Sequence, residues 1–296
     1  MNTMDDSNRY PQKLPLISII IPTARHSPYL PKLIHYIRDV CEKSEKDLEI
    51  LIVSTQDNPA NKLYEVLCKY KECALLVLER RPGEDARSRH KNLGVKEAKG
   101  EYVFILDDDS WVTCTLLNSM EQIISEKKPD ALLHAVLPRP ASIWAKVRLL
   151  EKIFSSYNLQ QSSVRIFRRE LFLEIGGYNE ELVVGEDIEF QMRLLMYKPR
   201  ICAIPLRAGF EIHIGEFKKL DKYIRRTCYY SRYVDKLIKG ISTSSVILSY
   251  ILPPSGIRRL IRTFRLYYVP YLLYKCLMLL TVTVCALKSL ISVDEK

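Results

Sequence analysis

The feature that most constrains the fold of this chain is a regular alternation of short β-branched runs with helical stretches. Four runs are predicted as strands: ISIII at 17–21, EILIV at 49–53, LLVL at 75–78 and YVFIL at 102–106. The stretches between them are predicted as helices around residues 29–41, 59–71 and 86–99. This alternation predicts an α/β fold with a Rossmann-like, mostly parallel sheet flanked by helices.

The residues directly after the predicted strands are candidates for ligand binding. In open α/β sheets, ligands bind beyond the carboxyl ends of the strands. In this chain those positions are Pro22 and Thr23, Ser54 to Asp57, and Asp107 to Asp109.

Three consecutive aspartates, Asp107 to Asp109, follow the fourth predicted strand. Carboxylates this close raise one another's pKa unless a cation neutralises them. Residues i and i+2 of an extended segment face the same side, so Asp107 and Asp109 are predicted to bind one divalent cation, Mn²⁺ or Mg²⁺. The alternative is an Asp-rich turn that caps a helix starting near Thr115.

Two further features are candidates for site chemistry. Gly185, Glu186 and Asp187 precede a helical pattern at 188–197, where acidic residues are also explained as helix caps stabilised by the helix dipole. His213 lies in the apolar phrase GFEIHI. A lone histidine in such a phrase is more often a core residue than a ligand.

Taken together, these motifs resemble the family 2 glycosyltransferases of GT-A fold, over about Ile17 to His213. The matching phrases are ISIIIPT at 17–23, NLGVKEAKGEYVFILDDD at 92–109 and FRRELFLEIGGYNEELVVGED at 167–187. Their order and spacing make the resemblance far more specific than any one motif. It implies a metal-dependent, inverting transfer of a sugar from a nucleotide-diphosphate sugar to an acceptor hydroxyl. The acceptor is expected to be a glycan or, because of the C-terminal segment described below, a lipid-linked molecule.

The resemblance also implies roles for individual residues. Asp187 matches the catalytic base of the family's Glu-Asp motif, and Glu186, the other acid of that motif, is assigned to the catalytic site with it. Asp107 and Asp109 match the D-x-D pair that holds the metal and the donor diphosphate, and His213 matches a histidine that completes the metal shell. The residues assigned to the nucleotide sugar are Pro22, Thr23, Ser54, Asp57, Lys91, Asn92, Asp107 and Asp108. For Lys91, a solvated helix face is the alternative.

Two departures from the family pattern limit what the resemblance implies. Ser54 stands where the family commonly has an aspartate that reads the nucleotide base, so the base is left open. The Q-x-x-R-W motif of processive synthases is absent, and the sequence has only Gln191-Met192-Arg193 in the corresponding helix. Polymer synthesis is therefore disfavoured.

The charge of the chain is concentrated near its C-terminus. Between Ile214 and Lys275 there are 13 Lys or Arg and three acidic residues, which accounts for the formal net charge of +10. The predicted division is a tail at 1–15, the GT-A domain at 16–215, basic amphipathic helices at 216–268 and a candidate membrane helix at 269–293.

The residues at 257–268 combine apolar positions at helical spacing with four arginines, and an apolar run from Leu266 to Leu287 follows. This pattern is typical of a membrane surface rather than of nucleic acid. The first 15 residues lack the apolar core of a signal peptide, and the eight cysteines show no metal-binding spacing. We therefore expect a membrane-associated enzyme with its catalytic domain in the cytoplasm and no nucleic-acid partner.

Other enzyme classes are consistent with parts of the pattern. A metal-dependent phosphodiesterase or nuclease could use the aspartates for two ions and the basic tail for nucleic acid. A nucleotidyltransferase is also conceivable, although the segment from Pro22 to His26 lacks the glycine-rich loop of that class. A non-catalytic scaffold is disfavoured by the intact Asp107, Asp109 and Asp187.

Overall fold

A seven-stranded sheet forms the centre of the computed structural model. The structure describes residues 17–23, 26–44, 48–69, 73–79, 87–155, 159, 163–182 and 185–214, and the single positions 273, 276 and 280. The bounds of its strands are β1 Ile17–Thr23, β2 Leu48–Thr55, β3 Cys73–Leu78, β4 Tyr102–Ile105, β6 Ala131–Leu133, β8 Ile166–Arg168 and β9 Ile201–Ala203. They lie in the order β3-β2-β1-β4-β8-β6-β9.

Strands β1 to β4 run parallel, and β8 lies antiparallel to both β4 and β6. The predicted mixed α/β fold with a mostly parallel sheet is therefore confirmed. The helices are α1 Leu30–Ser44, α2 Asn61–Leu67, α3 Arg87–Glu97, α4 Cys114–Lys127, α5 Ile143–Ser155, α6 Arg169–Ile175 and α7 Glu186–Met196, with a short 3-10 helix at Leu206–Ala208.

Both faces of the large sheet are covered, which explains why the strands read as continuous apolar runs. Along β1, Ile17, Ile19 and Ile21 belong to one hydrophobic core, which includes residues of α1 and α4. Ile20 points to the opposite face and belongs to a second core, with residues of α3, α6 and α7. Alternating side chains of one strand thus serve two cores.

A smaller sheet brings His213 to the aspartates after β4. Its strands are β5 Ser110–Val112, β7 Ala135–Pro138 and β10 Phe210–His213, in the order β5-β10-β7. In the antiparallel register His213 lies opposite Ser110, the residue after Asp109. The backbone N–H of Ile214 also donates to the carbonyl of Asp109 at 2.9 Å. His213 is therefore placed at the aspartates by strand pairing.

The predicted helices at 216–268 and the candidate membrane helix at 269–293 lie outside the described residues, except for positions 273, 276 and 280. Within the described ranges, no helix is long and apolar enough to cross a membrane.

Candidate active site

Each of the three aspartates after β4 has a different partner. Arg165, just before β8, donates through Nη1 to Asp107 Oδ2 at 2.8 Å. Thr23, at the end of β1, donates to Asp108 Oδ2 at 2.6 Å. Asp109 Oδ1 lies 3.3 Å from Nε2 of His213. The partners of the three aspartates therefore come from β1, β10 and the segment before β8, which lie far apart in sequence.

The partners produce opposite pKa shifts in neighbouring carboxyl groups. Burial would raise the pKa of Asp107, but the positive charges of Arg165 and Lys91 hold it well below its usual range. The pKa of Asp108 is raised to about 6, chiefly by burial. The hydrogen bond from Thr23 lowers this pKa, whereas the negative charges of Asp109 and Asp107 raise it. Arg165 and Lys91 thus favour the ionised form of Asp107, whereas the surroundings of Asp108 disfavour its ionised form.

The residues predicted to bind the metal converge but do not form a complete site. His213 Nε2 lies 3.3 Å from Asp109 and 3.9 Å from Asp107, and its buried Nδ1 has no hydrogen-bond partner in the described part of the chain. Oxygen and imidazole ligands suit Mn²⁺. Across the described ranges, however, no group of three His, Cys, Asp or Glu side chains is arranged to hold a metal ion. Asp109 and His213 fit a cation, whereas Asp107 is bound to Arg165.

Behind the aspartates lies a fully buried carboxylate, Glu211 of β10. Ser110 donates to its Oε1 at 2.5 Å, Arg165 Nη1 donates to the same oxygen at 3.1 Å, and His134 Nε2 lies 3.0 Å from Oε2. Burial would raise the pKa of Glu211, but Arg165 and His134 lower it. Glu211 is therefore an ionised group held in one position by three neighbours.

The second acidic region is the first turn of α7. Gly185 precedes it with a φ of 78°, a left-handed conformation that favours glycine. The buried Glu186 accepts a hydrogen bond at 2.9 Å from Nζ of Lys91 on α3, and that ammonium lies 4.9 Å from the centre of the Tyr178 ring. Glu186, predicted as catalytic, is thus engaged in an ion pair.

Asp187, the predicted base, differs from Glu186 in its surroundings. It is half-buried, and its Oδ1 accepts from the backbone N–H of Ile188 at 3.0 Å. Within the described ranges no side chain is paired with it. Burial lowers the pKa of both Lys91 and Arg165, but nearby carboxylates that include Asp107 and Asp187 raise it above the usual range. The two acidic regions therefore belong to one electrostatic site.

The structure also places the residues predicted to bind the donor. Thr23 and Asp108 bind each other, and Pro22 lies beside them in β1. Ser54 is fully buried and accepts from Asn58 Nδ2 at 3.0 Å, while Asp57 is exposed in the turn after β2.

Asn92 and Lys91 hold α3 against the segment between α6 and α7. Asn92 Oδ1 accepts from the backbone N–H of Tyr178 at 2.8 Å, and its Nδ2 donates to the Tyr178 carbonyl at 2.9 Å. Gly177 precedes Tyr178 with a φ of 69°, and a Cβ there would lie 2.8 Å from Asn92 Oδ1. Both α3 residues therefore have partners within the protein.

Sequence reasoning missed Arg165, Glu211, His134 and Ser27. Ser27 donates to the carbonyl of Asp108 at 2.8 Å and fixes the turn from the β1 side. No spacing signal marks Arg165 or His134, because their partners come from distant strands. Glu211 could have been suspected as a charged residue two positions before His213, on the same side of an apolar strand.

Comparison of the sequence with known proteins identifies a family. Residues 18–177, more than half of the chain, match the family model described as Glycosyl transferase family 2. Glycosyltransferase GlyG of Streptococcus pneumoniae is 26% identical over 120 residues, which are 40% of this chain and 38% of that protein. The poly(ribitol-phosphate) β-N-acetylglucosaminyltransferase TarS of Staphylococcus aureus is 24% identical over 203 residues, 65% of this chain and 35% of TarS. The chain thus matches little more than a third of the length of these relatives.

Solved structures share the fold. A mannosyltransferase of Pyrobaculum calidifontis, solved with GDP-Man and Mn²⁺, has a TM-score of 0.63 at 15% identity and covers 94% of this chain and 88% of its own. TarS residues 1–349 with UDP-GlcNAc give a TM-score of 0.52 at 19% identity, covering 84% and 73%. The GT-A type of fold expected from the sequence is confirmed by these likenesses.

Proposed function

This chain belongs to glycosyl transferase family 2, and we propose that it transfers a sugar from a nucleotide-diphosphate sugar to an acceptor hydroxyl with inversion at the anomeric carbon. One observation carries the proposal. A carboxylate without a side-chain partner among the described residues, Asp187, shares an electrostatic site with a cluster of partnered carboxylates at the carboxyl end of β4.

Asp187 is the proposed general base. An inverting transfer needs one base that takes the proton of the acceptor hydroxyl as that oxygen attacks the anomeric carbon. Asp187 is suited to the role because its carboxylate is half-buried and is paired with no described side chain. Glu186, fixed by Lys91, positions the helix turn on which Asp187 lies.

Asp109 and His213 would hold the divalent cation, whose positive charge would offset the charge that develops on the leaving diphosphate. Neighbouring side chains hold the other two aspartates in position. Thr23 and Ser27 fix Asp108 and its carbonyl, and Arg165 fixes Asp107. The Mn²⁺ in the mannosyltransferase of similar fold supports this proposal.

The donor is proposed from the relatives. UDP-GlcNAc and GDP-Man are present in structures of similar fold, so both are first choices. The buried Ser54 at the end of β2 lies where the family commonly has a base-reading aspartate, and its hydroxyl is already engaged with Asn58. We therefore expect base selection to depend on other groups, such as Asp57 in the adjacent exposed turn.

The acceptor is proposed to be a glycan or a lipid-linked sugar at a membrane surface. The support is the sequence at 257–268, where Arg258, Arg259, Arg262 and Arg265 alternate with apolar residues. Sedimentation with vesicles that contain anionic lipid tests this part. Retention at high salt supports apolar insertion, whereas complete release by salt leaves only electrostatic adsorption.

A donor panel tests the central proposal. The protein is incubated with UDP and GDP sugars plus Mn²⁺ or EDTA, and thermal shift and donor hydrolysis are measured. At least one donor is expected to raise the melting temperature with Mn²⁺ and to be hydrolysed slowly. Proton NMR at early times should show a released sugar of inverted anomeric configuration. Absence of binding by every donor, or retention of configuration, contradicts the proposal.

A further inference from the structure

The most exposed side chains of α7 are apolar, whereas its charged side chains are buried or half-buried. Ile188, Met192, Leu195 and Met196 are all exposed, and Met196 is 79% exposed. Their spacing of i, i+4, i+7 and i+8 places them on one side of the helix, which we call the α7 face. A surface helix usually has the reverse arrangement, with its apolar side toward the core. An exposed apolar patch of this kind indicates an interaction site.

The exposed charges next to the α7 face are mainly acidic. Arg193 of α7 donates to the carbonyls of Ile175 and Gly177, which holds the helix against the end of α6 and the segment after it. Among the described residues from 169 to 198, the exposed charged ones are Glu170, Glu174, Glu180, Glu181 and Lys198. The α7 face is therefore an apolar surface in an acidic neighbourhood.

This charge distribution discriminates between possible occupants of the α7 face. An anionic membrane would bring lipid phosphates to the acidic side chains, and a second copy of the same face would bring acids to acids. Both arrangements place like charges together. A basic amphipathic helix, in contrast, offers apolar side chains to the α7 face and cations to the acidic residues around it.

The chain itself contains such a segment at 257–268, outside the described residues. Its apolar positions follow helical spacing and lie between four arginines, Arg258, Arg259, Arg262 and Arg265. A helix of this length would be about 18 Å long, and the α7 face extends over about 13 Å from Ile188 to Met196. The segment is therefore long enough to cover the α7 face.

The connection between the domain and this segment begins near the start of α7. The described domain ends at Ile214, whose backbone N–H donates to the carbonyl of Asp109. The start of α7 belongs to the same site, because Asp107 and Asp187 both act on the pKa of Arg165. When extended, the chain between Ile214 and the segment would reach about 140 Å, several times the length of α7.

We propose that the segment at 257–268 docks on the α7 face of the same chain, with its apolar positions on that face and its arginines toward the acidic residues of α6 and of the segment before α7. The inference goes beyond the proposed function and does not depend on it. It concerns the protein without lipid, since an anionic membrane competes for the same arginines. The contact would begin at Ile188, directly after Asp187.

Photocrosslinking of the full chain tests this contact. Met192→p-benzoylphenylalanine places a photoreactive group on the α7 face, and a mixture of isotope-labelled and unlabelled chains is irradiated in buffer without lipid. Mass spectrometry is expected to show an adduct with a peptide from 257–268, with both peptides from the same isotopic chain. The same replacement at Val66, an exposed position of α2, is the matched control and is expected to give no adduct with that segment.

A charge variant tests the role of the acidic neighbourhood. Arg259→Glu combined with Arg262→Glu is expected to lower the yield of this adduct by about fivefold or more, because acids would then face acids. Lys218→Glu combined with Lys219→Glu makes the same change of charge outside the segment and is expected to leave the yield unchanged.

The outcomes decide between the occupants. An adduct only between different chains, an adduct only with another segment, or no adduct from position 192 overturns the proposal. An equal yield from the arginine variant and the wild type also overturns it, since a chance contact would not depend on these charges. Donor binding and hydrolysis test the proposed function separately, so either can fail without the other.

Discussion

The carboxylates after β4 and those at the start of α7 differ in how many of them have a partner. After β4, Arg165, Thr23 and His213 each approach one of the three aspartates. At the start of α7, Glu186 is paired with Lys91 and Glu189 with Arg193, whereas Asp187 has no side-chain partner among the described residues.

This difference follows from the electrostatic requirement of each region. Three adjacent carboxylates repel one another, so the first region needs cations and donors to hold it in one geometry. A base has to accept a proton, and a strong ion pair would oppose that step. Glu186 takes the available ammonium of Lys91, which leaves Asp187 on the same turn without one. We infer that Glu186 keeps Asp187 available as well as oriented.

The largest effect is expected from Asp187→Asn, which tests whether the unpartnered carboxylate is the base. Asparagine keeps the size of the side chain and much of its hydrogen bonding but cannot take the proton. Turnover should fall by roughly two to four orders of magnitude, with donor affinity nearly unchanged. Steady-state kinetics and calorimetry with the donor measure the two quantities.

Glu189→Gln is the matched control for this prediction. Glu189 is another acid in the first turn of α7, but it is paired with Arg193 at 2.5 Å. Its turnover should stay close to that of the wild type. Near-normal turnover in Asp187→Asn would remove Asp187 from the chemistry and leave it as a helix cap.

Lys91→Met tests the paired carboxylate of α7, Glu186. The substitution leaves Glu186 buried without its cation, which is expected to lower the free energy of unfolding by about 3–5 kcal/mol. The double variant Lys91→Met with Glu186→Gln should regain much of this loss, because neither buried charge remains. Urea unfolding measures stability, and turnover of the folded double variant reports whether the orientation of Asp187 survives.

Lys96→Met is the matched control for Lys91→Met. Lys96 lies on the same helix, in its exposed last turn, so its removal is expected to change stability by less than about 0.5 kcal/mol. If Lys91→Met is no more destabilised than Lys96→Met, the buried ion pair does not hold α7 to α3.

The strands and the aspartate cluster could be predicted from sequence because their signals are local. ISIII and YVFIL are apolar runs of strand length, and Asp107 to Asp109 stand directly after one of them. A residue that directly follows a strand lies at the carboxyl end of the sheet, where ligands bind in open α/β folds. The position of His213 needed the family resemblance, since strand pairing with β5 is not visible in the phrase GFEIHI.

Pairing between distant elements could not be predicted. The sequence favoured Lys91 and Asn92 as donor-binding residues, yet both have internal partners about 86 to 95 positions away. Arg165 gave no local signal at all, because its partners lie on β10 and after β4. An isolated charge in a sequence does not show whether it faces solvent or a buried carboxylate.

Asp109→Ala tests whether the aspartates after β4 bind the metal. Asp109 is the aspartate nearest to His213, so its loss should weaken metal-dependent donor binding by about ten- to a hundredfold. Calorimetry with donor in Mn²⁺ and in EDTA isolates the metal-dependent part. Asp130→Ala is the control, because Asp130 is paired with Arg168 outside the site. An unchanged difference between Mn²⁺ and EDTA would exclude Asp109 as a ligand.

The smallest effect is expected from Asn92→Ala, next to Lys91 on α3. Asn92 bonds both backbone groups of Tyr178, at 2.8 and 2.9 Å, and donates to Glu180 Oε1 at 3.0 Å at an exposed position, whereas Lys91 holds a buried charge. Loss of these bonds should lower the free energy of unfolding by about 1–2 kcal/mol, less than for Lys91→Met. Donor affinity should stay unchanged if Asn92 only braces the segment before α7. Asn118→Ala, at an exposed position of α4, is the control for urea unfolding. A donor affinity that falls in Asn92→Ala by tenfold or more, with stability close to that control, would instead assign Asn92 to the nucleotide sugar.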